Sequence, residues 1–115
     1  MLSPEVVTTM RAHAEASAPN ECVGALFGRG NEIAKALPLI NAAENPTREF
    51  ELSAAEYFRA EAEAARAGLE LLGFFHSHVD APASPSAKDL EHASAFRCGY
   101  IVPVRNGVAG APVAF

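Results

Sequence analysis

The segment LELLGFFHSH, residues 69–78, joins a short apolar run to a pair of histidines. The run from Leu69 to Phe75 is shorter than a typical helix, which favours a strand buried on both faces. His76 and His78 follow at the point where we expect this strand to end. Because residues i and i+2 of a strand point to the same face, the two imidazoles are predicted to lie side by side.

Two neighbouring imidazoles suit a zinc ion, which binds histidine nitrogen at about 2.0–2.1 Å. A catalytic zinc site usually has three protein ligands and leaves its fourth position to water. A carboxylate is therefore expected as the third ligand, and the sequence offers Asp80 and Asp89. Ala81-Pro82 suggests that the strand ends too early for Asp80 to share the face of the histidines. The His-x-His pair alone is a weak signal, because most histidines are not metal ligands.

Local patterns on both sides of this segment predict further helices and strands. Serine followed by proline predicts the start of a first helix, and the capping box formed by Ser53 and Glu56 predicts the start of a second. Pro103 indicates a strand at an edge or a bulge, because proline lacks the backbone donor that a central strand uses. The predicted elements are a helix over about residues 4–17, strands over 22–28 and 32–37, a loop over 41–47, a short strand at Phe50 and Leu52, a helix from Ser53 to Gly68, a short helical segment from Ser86, a strand over 100–104, a turn over 105–107 and a last strand over 112–115.

Composition limits the class of protein. The chain has 115 residues, 50% of them hydrophobic, which is enough for a single domain over residues 1–115. It has 14 acidic and 9 basic residues and no long Lys/Arg run, so nucleic acid is not an expected partner. The amino terminus has no secretory pattern and no apolar run is long enough to span a bilayer, so we expect a cytoplasmic protein without a membrane partner. Cys22 and Cys98 do not make a disulfide framework, although a single bridge between them stays open.

A longer pattern connects the two histidines with residues that follow them. Seven residues separate His78 from Ser86, and two more precede Asp89, which gives H-S-H-x7-S-x2-D. With a glutamate on an upstream strand, this pattern resembles the signature of the JAMM (JAB1/MPN/Mov34) metalloprotease family. NECVGALFG at residues 20–28 is similar to the strand that carries the family's glutamate. The resemblance covers nearly the whole chain, and it implies an MPN/JAB-like fold of the α/β (α+β) class. This fold is a mixed, mostly antiparallel sheet flanked by two main helices, with a short helix after the metal loop.

The resemblance also implies a role for each matching residue. His76, His78 and Asp89 would bind one Zn²⁺ ion per chain, with water in the remaining position. Glu21 would be the base that takes a proton from this water and gives it to the leaving amine. Ser86 would stabilise the oxyanion of the tetrahedral intermediate with its hydroxyl group. The implied activity is that of a zinc metalloprotease or isopeptidase that cleaves after the C-terminal Gly-Gly of a ubiquitin-like or sulfur-carrier protein.

Each of these residues also has an ordinary structural interpretation. Ser86-x-x-Asp89 is a helix-capping pattern, and we do not expect one carboxylate oxygen of Asp89 to cap the helix and bind metal at once, so ligation is favoured. Ser86 is compatible with both roles, because its backbone can start the helix while its hydroxyl faces the site. Without the family pattern, Glu21 resembles any solvent-facing glutamate at a strand end.

The remaining histidines and the first cysteine are expected to lie outside the chemistry. His92 follows Asp89 by three residues on the same helical face; we expect it to be exposed, with a supporting role beside the metal as the alternative. His13 is expected to lie on the first helix without a special role. Cys22 is predicted to point away from Glu21, into the core.

Departures from the family pattern define the alternatives. The family commonly has proline after the second histidine, where this chain has Val79. The short segment between Asp89 and Tyr100 leaves little room for the insertions with which larger relatives grip ubiquitin, which indicates a minimal prokaryotic version. The alternatives are a non-catalytic MPN-type protein-binding module and a zinc hydrolase of a small-molecule amide. A zinc deaminase is disfavoured because Pro-Cys-x-x-Cys is missing. The sequence does not predict the oligomeric state or the particular substrate.

Overall fold

A computed structural model describes residues 2–115 of the chain. Three helices and six strands are distributed along these residues, and among them no helix is long and apolar enough to cross a membrane. The elements are α1 Pro4–Ser17, β1 Val23–Arg29, β2 Glu32–Leu39, α2 Ala54–Arg66, β3 Glu70–Val79, α3 Ala87–Ala93, β4 Cys98–Arg105, β5 Val108–Ala109 and β6 Val113–Ala114.

The strands form one mixed sheet in the order β2-β1-β3-β4-β5, with β6 also paired to β4. β1 is antiparallel to both β2 and β3, whereas β3 and β4 are parallel. The parallel pair is joined by a crossover that contains α3, as parallel strands require. This arrangement confirms the predicted mixed, mostly antiparallel sheet and places the residues after the two histidines over the carboxyl end of β3.

Both faces of the sheet are covered, because the central strands alternate side chains between two helices. On one face, α1 packs Val6, Met10 and Ala14 against a core that includes Leu26 and Phe75. The other face holds a second core, which α2 covers: Val23, Ala25, Phe27, Leu39, Phe50, Ala60, Ala64 and Phe74. The two main helices therefore flank the sheet as expected, and the central strand β1 is buried on both sides.

The expected strand at Phe50 and Leu52 is wrong: residues 40–53 form an irregular loop between β2 and α2. Phe50 is only 7% exposed. The alternation of apolar and polar residues there therefore reflects the burial of the Phe50 side chain in a loop, and not the pairing of a strand. The loop satisfies its backbone through Asn41, whose side-chain oxygen accepts hydrogen bonds from the N–H groups of Ala43 and Glu51. The side chain of Asn41 thus accepts hydrogen bonds that a neighbouring strand would otherwise accept.

The edge position expected for Pro103 is also wrong, since β4 has partners on both sides. Pro103 lies opposite His78 of β3, and on the other side of β4 it falls between the short strands β5 and β6. Its carbonyl oxygen accepts a hydrogen bond from the N–H of Gly110 at 2.8 Å. Because the N–H and C=O of a strand residue point the same way, the donor that proline lacks would face this gap and not β3.

The capping prediction for α2 is half right. Ser53 caps the helix by accepting a hydrogen bond from the N–H of Glu56. The carboxylate of Glu56 does not return to Ser53; it accepts a hydrogen bond from the N–H of Ile40 and pairs with Arg59. Arg59 in turn donates to the carbonyl of Pro38. The helix start is therefore tied to the end of β2, where a free strand edge would otherwise be open.

Candidate metal centre

The two histidines lie side by side at the end of β3, on the face that α2 covers. Both histidines belong to β3, which continues to Val79. Phe74, His76 and His78 occupy alternate positions of this strand, so their side chains point to the same face. His76 is 2% exposed. The Nε2 atoms of His76 and His78 are 3.2 Å apart. The spacing expected from the sequence is therefore present.

Asp89 reaches the same point from the first turn of α3. Its Oδ2 lies 3.2 Å from Nε2 of His76 and 3.2 Å from Nε2 of His78. The same oxygen accepts a hydrogen bond of 2.9 Å from the N–H of Ser86, which completes the capping box of α3. Oδ2 of Asp89 thus closes the cap and also lies 3.2 Å from both imidazoles, although the sequence had led us to expect that one oxygen would not cap the helix and bind metal at once.

These three atoms fit a zinc ion. Ligand atoms about 2.0–2.1 Å from a tetrahedral ion lie about 3.3–3.4 Å from one another. The observed triangle has sides of 3.2 Å, and its donors are two imidazole nitrogens and one carboxylate oxygen, a set that zinc accepts in catalytic sites. One coordination position remains available to solvent or substrate.

The loop after β3 prepares His78 for this role. Its Nδ1 lies 2.8 Å from the carbonyl oxygen of Pro82, which can only accept a hydrogen bond. Nδ1 must therefore carry the proton, and in the neutral ring the lone pair of Nε2 faces Asp89 and His76. A partner on the second ring nitrogen is the usual device that orients a metal-binding histidine. Val79 at the position of the family's usual proline does not prevent this contact.

Asp80 does not compete with Asp89. It is exposed, with a positive φ of 52°, and its side chain accepts a hydrogen bond from the N–H of Asn106 at 3.1 Å. Its own N–H donates to the carbonyl of Val104. Asp80 thus braces the turn after β4, and of the two aspartates that the sequence left open only Asp89 lies beside the histidines.

Glu21 lies two residues before the start of β1 and is 7% exposed, so it is not a solvent-facing strand end. One of its carboxylate oxygens forms a cluster with a nitrogen of His76 and a nitrogen of His78, all within 4.8 Å of one another. Burial raises the pKa of Glu21 to about 7, against the opposing field of His78. A carboxyl group with this pKa can both accept and release a proton near neutral pH.

The charge states of the donor groups suit a cation. Burial lowers the pKa of His76, which favours the neutral ring with a free lone pair. Burial on its own would raise the pKa of Asp89, but the neighbouring imidazole of His76 and the hydrogen bond from the N–H of Ser86 hold the pKa of Asp89 well below its usual range. A neutral imidazole and an ionised carboxylate are the forms that bind metal.

Ser86 is the N-cap of α3 and also borders the site. Its Oγ accepts a hydrogen bond from the N–H of Asp89 at 3.1 Å, and the hydroxyl proton remains available as a donor. The cleft above the donor triangle is open to solvent, and its lining is mixed in charge: Glu21, Arg48, Glu49, Phe50, His78, Ala81, Ser86, Lys88 and Asp89. Four of the five residues singled out from the sequence therefore line this cleft, and the fifth, His76, lies next to it with its Nε2 3.2 Å from His78 and Asp89.

The sequence did not reveal the aromatic support of this centre. The ring of Phe50 stacks on His76 with centroids 4.5 Å apart, and Phe115 meets the same imidazole edge-on at 5.8 Å. His92 is half-buried and not exposed as expected; its ring contacts Phe50 at 5.4 Å and Phe74 at 5.3 Å. The only available signal was the isolated apolar residue at position 50, which indicated burial but not its partner.

Two further expectations concern the opposite face of the sheet. Cys22 is 2% exposed in the core under α1, which confirms that it points away from the site. His13 does more than lie on α1, because its Nε2 is 3.0 Å from the carbonyl oxygen of Val23 and its ring meets Phe75 edge-on. His13 therefore contributes to the packing of α1 on β1.

Comparisons with known sequences agree with this geometry. The profile of the family described as prokaryotic homologues of the JAB domain matches residues 3–112. The chain is 42% identical over 71 residues to a desampylase from Pyrococcus furiosus, covering 62% of this chain and 50% of the relative. It is 35% identical over 98 residues to a probable TtuB-protein conjugate cleaving protease from Thermus thermophilus, covering 85% of this chain and 65% of the relative. The chain thus spans about half to two thirds of the length of these curated relatives.

Solved structures have the same fold. A protein from Desulfitobacterium hafniense superposes with a TM-score of 0.77 at 30% identity, covering 98% of this chain and 79% of that one. A protein from Salinibacter ruber gives 0.72 at 34% identity, with 98% and 78% covered. A JAB1/MPN domain protein from Archaeoglobus fulgidus gives 0.63 at 19% identity, with 99% and 86% covered, and supports the fold alone. Because the family profile spans nearly all of the sequence, the chain belongs to the prokaryotic JAB domain family.

Proposed function

We propose that this protein is a zinc-dependent peptidase or isopeptidase that cleaves after the C-terminal Gly-Gly of a ubiquitin-like or sulfur-carrier protein. The observation that carries the proposal is the position of a buried carboxyl group, Glu21, beside a triangle of two imidazoles and a carboxylate. A carboxyl group with a pKa near 7 can serve as both acid and base in the hydrolysis of an amide, a property that a binding module does not need.

His76, His78 and Asp89 are the residues that would hold the zinc ion, each through the atom that forms the triangle. When bound, zinc would supply Lewis-acid polarisation of the scissile carbonyl and would make a water molecule acidic enough to attack at neutral pH. The protein contributes the orientation of these donors. Pro82 holds the ring of His78, Phe50 stacks on His76, and the cap of α3 holds Asp89.

Glu21 is proposed as the catalytic acid and base. Its carboxylate accepts a proton from the attacking water and then donates that proton to the nitrogen of the leaving amine. Both steps need a group that changes protonation easily near pH 7, and burial places the pKa of Glu21 in that range. The carboxyl group lies at the edge of the donor triangle, where a proton has only a short distance to travel.

Ser86 is proposed to stabilise the oxygen of the scissile carbonyl as it becomes an oxyanion. Its Oγ is fixed by the bond from the N–H of Asp89, and its hydroxyl proton is free to point into the cleft. A donor oriented before the reaction stabilises the developing charge without reorganising at the moment of reaction.

The proposed substrate class is supported by the names of the relatives. One is called a desampylase and another a protease that cleaves TtuB-protein conjugates. An extended tail that ends in two glycines lacks side chains near the scissile bond, so its backbone can approach donors that are as buried as His76.

The decisive experiment is incubation of the purified protein with a carrier protein fused through Gly-Gly to a reporter, with mass spectrometry of the products. We expect cleavage after the second glycine, abolished by a chelator and restored by added zinc. A matched substrate in which Gly-Gly is replaced by Val-Val should remain intact. If no Gly-Gly carrier is cleaved after zinc loading, this substrate class is excluded.

Ser86→Ala is expected to reduce kcat by about 10²- to 10³-fold, the effect of losing one oxyanion donor. It should also lower the free energy of unfolding by about 1 kcal/mol, because the N-cap of α3 is lost. Ser53→Ala is the matched control: Ser53 caps α2 with the same 3.1 Å bond but lies at the other main helix. Steady-state kinetics and urea unfolding should show similar losses of stability in both variants and a loss of kcat only in Ser86→Ala. Equal kinetic losses in the two variants would mean that Ser86 acts only as a cap.

A further inference from the structure

Asn41, the second residue of the loop between β2 and α2, uses all of its side-chain hydrogen-bonding capacity. Its amide nitrogen donates to the carbonyl oxygens of Glu21 and Glu49, at 2.9 and 3.0 Å. Its amide oxygen accepts from the N–H groups of Ala43 and Glu51, at 2.9 and 3.0 Å. An amide has two donor protons and two acceptor lone pairs, so every one of them is engaged.

These bonds join the loop to the proposed catalytic base. The carbonyl of Glu21 is held by Asn41, and the N–H of Glu21 donates to the carbonyl of Pro46 at 2.7 Å. Glu21 lies before the first residue of β1, so the ladder that orders the strand does not fix it. Both backbone polar groups of Glu21 are therefore bonded to residues of the loop, 20 and 25 positions along the chain.

The same loop carries the aromatic support of the metal centre. Phe50 lies between Glu49 and Glu51, the two residues that Asn41 ties together, and its ring stacks on His76 at 4.5 Å. A loop without regular secondary structure has no ladder of its own to hold such a ring in place. The amide of Asn41 thus connects the position of the base with the position of a metal ligand.

We propose that Asn41 is a positioning residue for the reaction: it holds the backbone of Glu21 and the Phe50 segment in the geometry that puts the carboxylate beside the donor triangle. This inference rests on the proposed function, since it assumes that Glu21 is the base. Asn41 does not line the cleft and does not touch the donor atoms, so it acts through Glu21 and Phe50 alone.

The first test compares Asn41→Ala and Asn41→Asp with the control Asn45→Ala, on the zinc-loaded protein and a Gly-Gly fusion substrate. Asn45 lies in the same loop, and its side-chain oxygen accepts a hydrogen bond from the hydroxyl of Thr47. A displacement of a catalytic group by about 1 Å can cost on the order of 100-fold in rate. We expect kcat to fall about 10- to 100-fold in both Asn41 variants, KM and zinc affinity to change less than about threefold, and Asn45→Ala to behave as the native protein.

The second test separates positioning from general damage by a double-mutant cycle. If Asn41 acts through Glu21, adding Asn41→Asp to Glu21→Gln should cost less than about twofold of the residual rate, because groups that act as a unit are not additive. Equal losses of kcat in the native and Glu21→Gln backgrounds would overturn the proposal. So would a loss that appears in zinc affinity and not in kcat.

A third measurement does not depend on activity. Asn41→Asp keeps the acceptor oxygens for Ala43 and Glu51 but replaces the donor that faces the carbonyl of Glu21. Amide hydrogen exchange should therefore show faster exchange at Glu21 and Cys22, with Ala43 and Glu51 still protected, whereas Asn41→Ala should release all four. Unchanged exchange at Glu21 in both variants would refute the positioning role. Absence of cleavage by the native protein would reject only the proposed function.

Discussion

Glu21→Gln is expected to lower kcat by about 10²- to 10⁴-fold while zinc remains bound, because the substitution removes proton transfer and leaves the donor triangle intact. Glutamine has nearly the same shape as glutamic acid, and the backbone bonds that hold Glu21 to Asn41 and Pro46 do not involve its side chain. The measurement is steady-state cleavage of a Gly-Gly fusion, together with the zinc content of the same sample.

The matched control is Glu44→Gln, which makes the same change of charge at an exposed position of the loop. We expect this variant to retain the native kcat. A Glu21→Gln protein that hydrolyses substrate at the native rate would show that another group carries the proton. If the native protein and Glu21→Gln both bind carrier conjugates and neither cleaves them, the binding-module alternative is favoured.

Asp89→Asn is expected to weaken zinc binding by at least about 100-fold, because the loss of a residue that only supports a metal ligand already lowers metal affinity by about 10- to 100-fold. Asparagine keeps an oxygen that can accept the N–H of Ser86, so the start of α3 should survive. What changes is the charge on the atom that meets both imidazoles. Zinc affinity is measured by competition with a chromogenic chelator.

Asp80→Asn is the control for Asp89→Asn, because Asp80 is the other carboxylate near the histidines in sequence. Its side chain accepts only the N–H of Asn106, and zinc affinity should stay native. Thermal unfolding gives a second readout: zinc should raise the Tm of the native protein and of Asp80→Asn through preferential binding to the folded state, and the same zinc concentration should raise the Tm of Asp89→Asn much less. An equal zinc-dependent rise of Tm in Asp89→Asn would mean that the third ligand is another residue.

The grouping of the candidate metal-binding residues was predictable because most of its parts are local. His76 and His78 share a face by strand geometry alone, and Ser86 and Asp89 are three residues apart in a capping box. The pair on β3 and the pair at the start of α3 come together through one long-range contact, the packing of α3 over the end of β3. Even so, the spacing left Asp80 and Asp89 both open, and only the resemblance and then the fold separated them.

The parts that sequence reasoning missed depend on contacts between distant residues. Nothing local in Asn41 distinguishes it from a turn residue, because its partners lie up to 20 positions away. Phe50 alternates with glutamates as a strand residue would, and its stacking on His76 comes from a loop that wraps over the sheet. Pro103 lacks a backbone N–H, which matters only on the side of the strand to which that N–H would point. On that side β4 faces the gap between β5 and β6, so proline is tolerated within the sheet.

The sheet also separates the two thiol groups of the chain from the imidazoles of His76 and His78. Cys22 and Cys98 are free thiols that pack under α1, on the face opposite to the imidazoles. Burial raises the pKa of Cys22 to about 11 and also raises the pKa of Cys98, so neither is a ready thiolate. Peroxide, alkylating reagents and soft ions such as mercury would therefore meet these two thiols on the face of the sheet that α1 covers, and not on the face that carries His76 and His78.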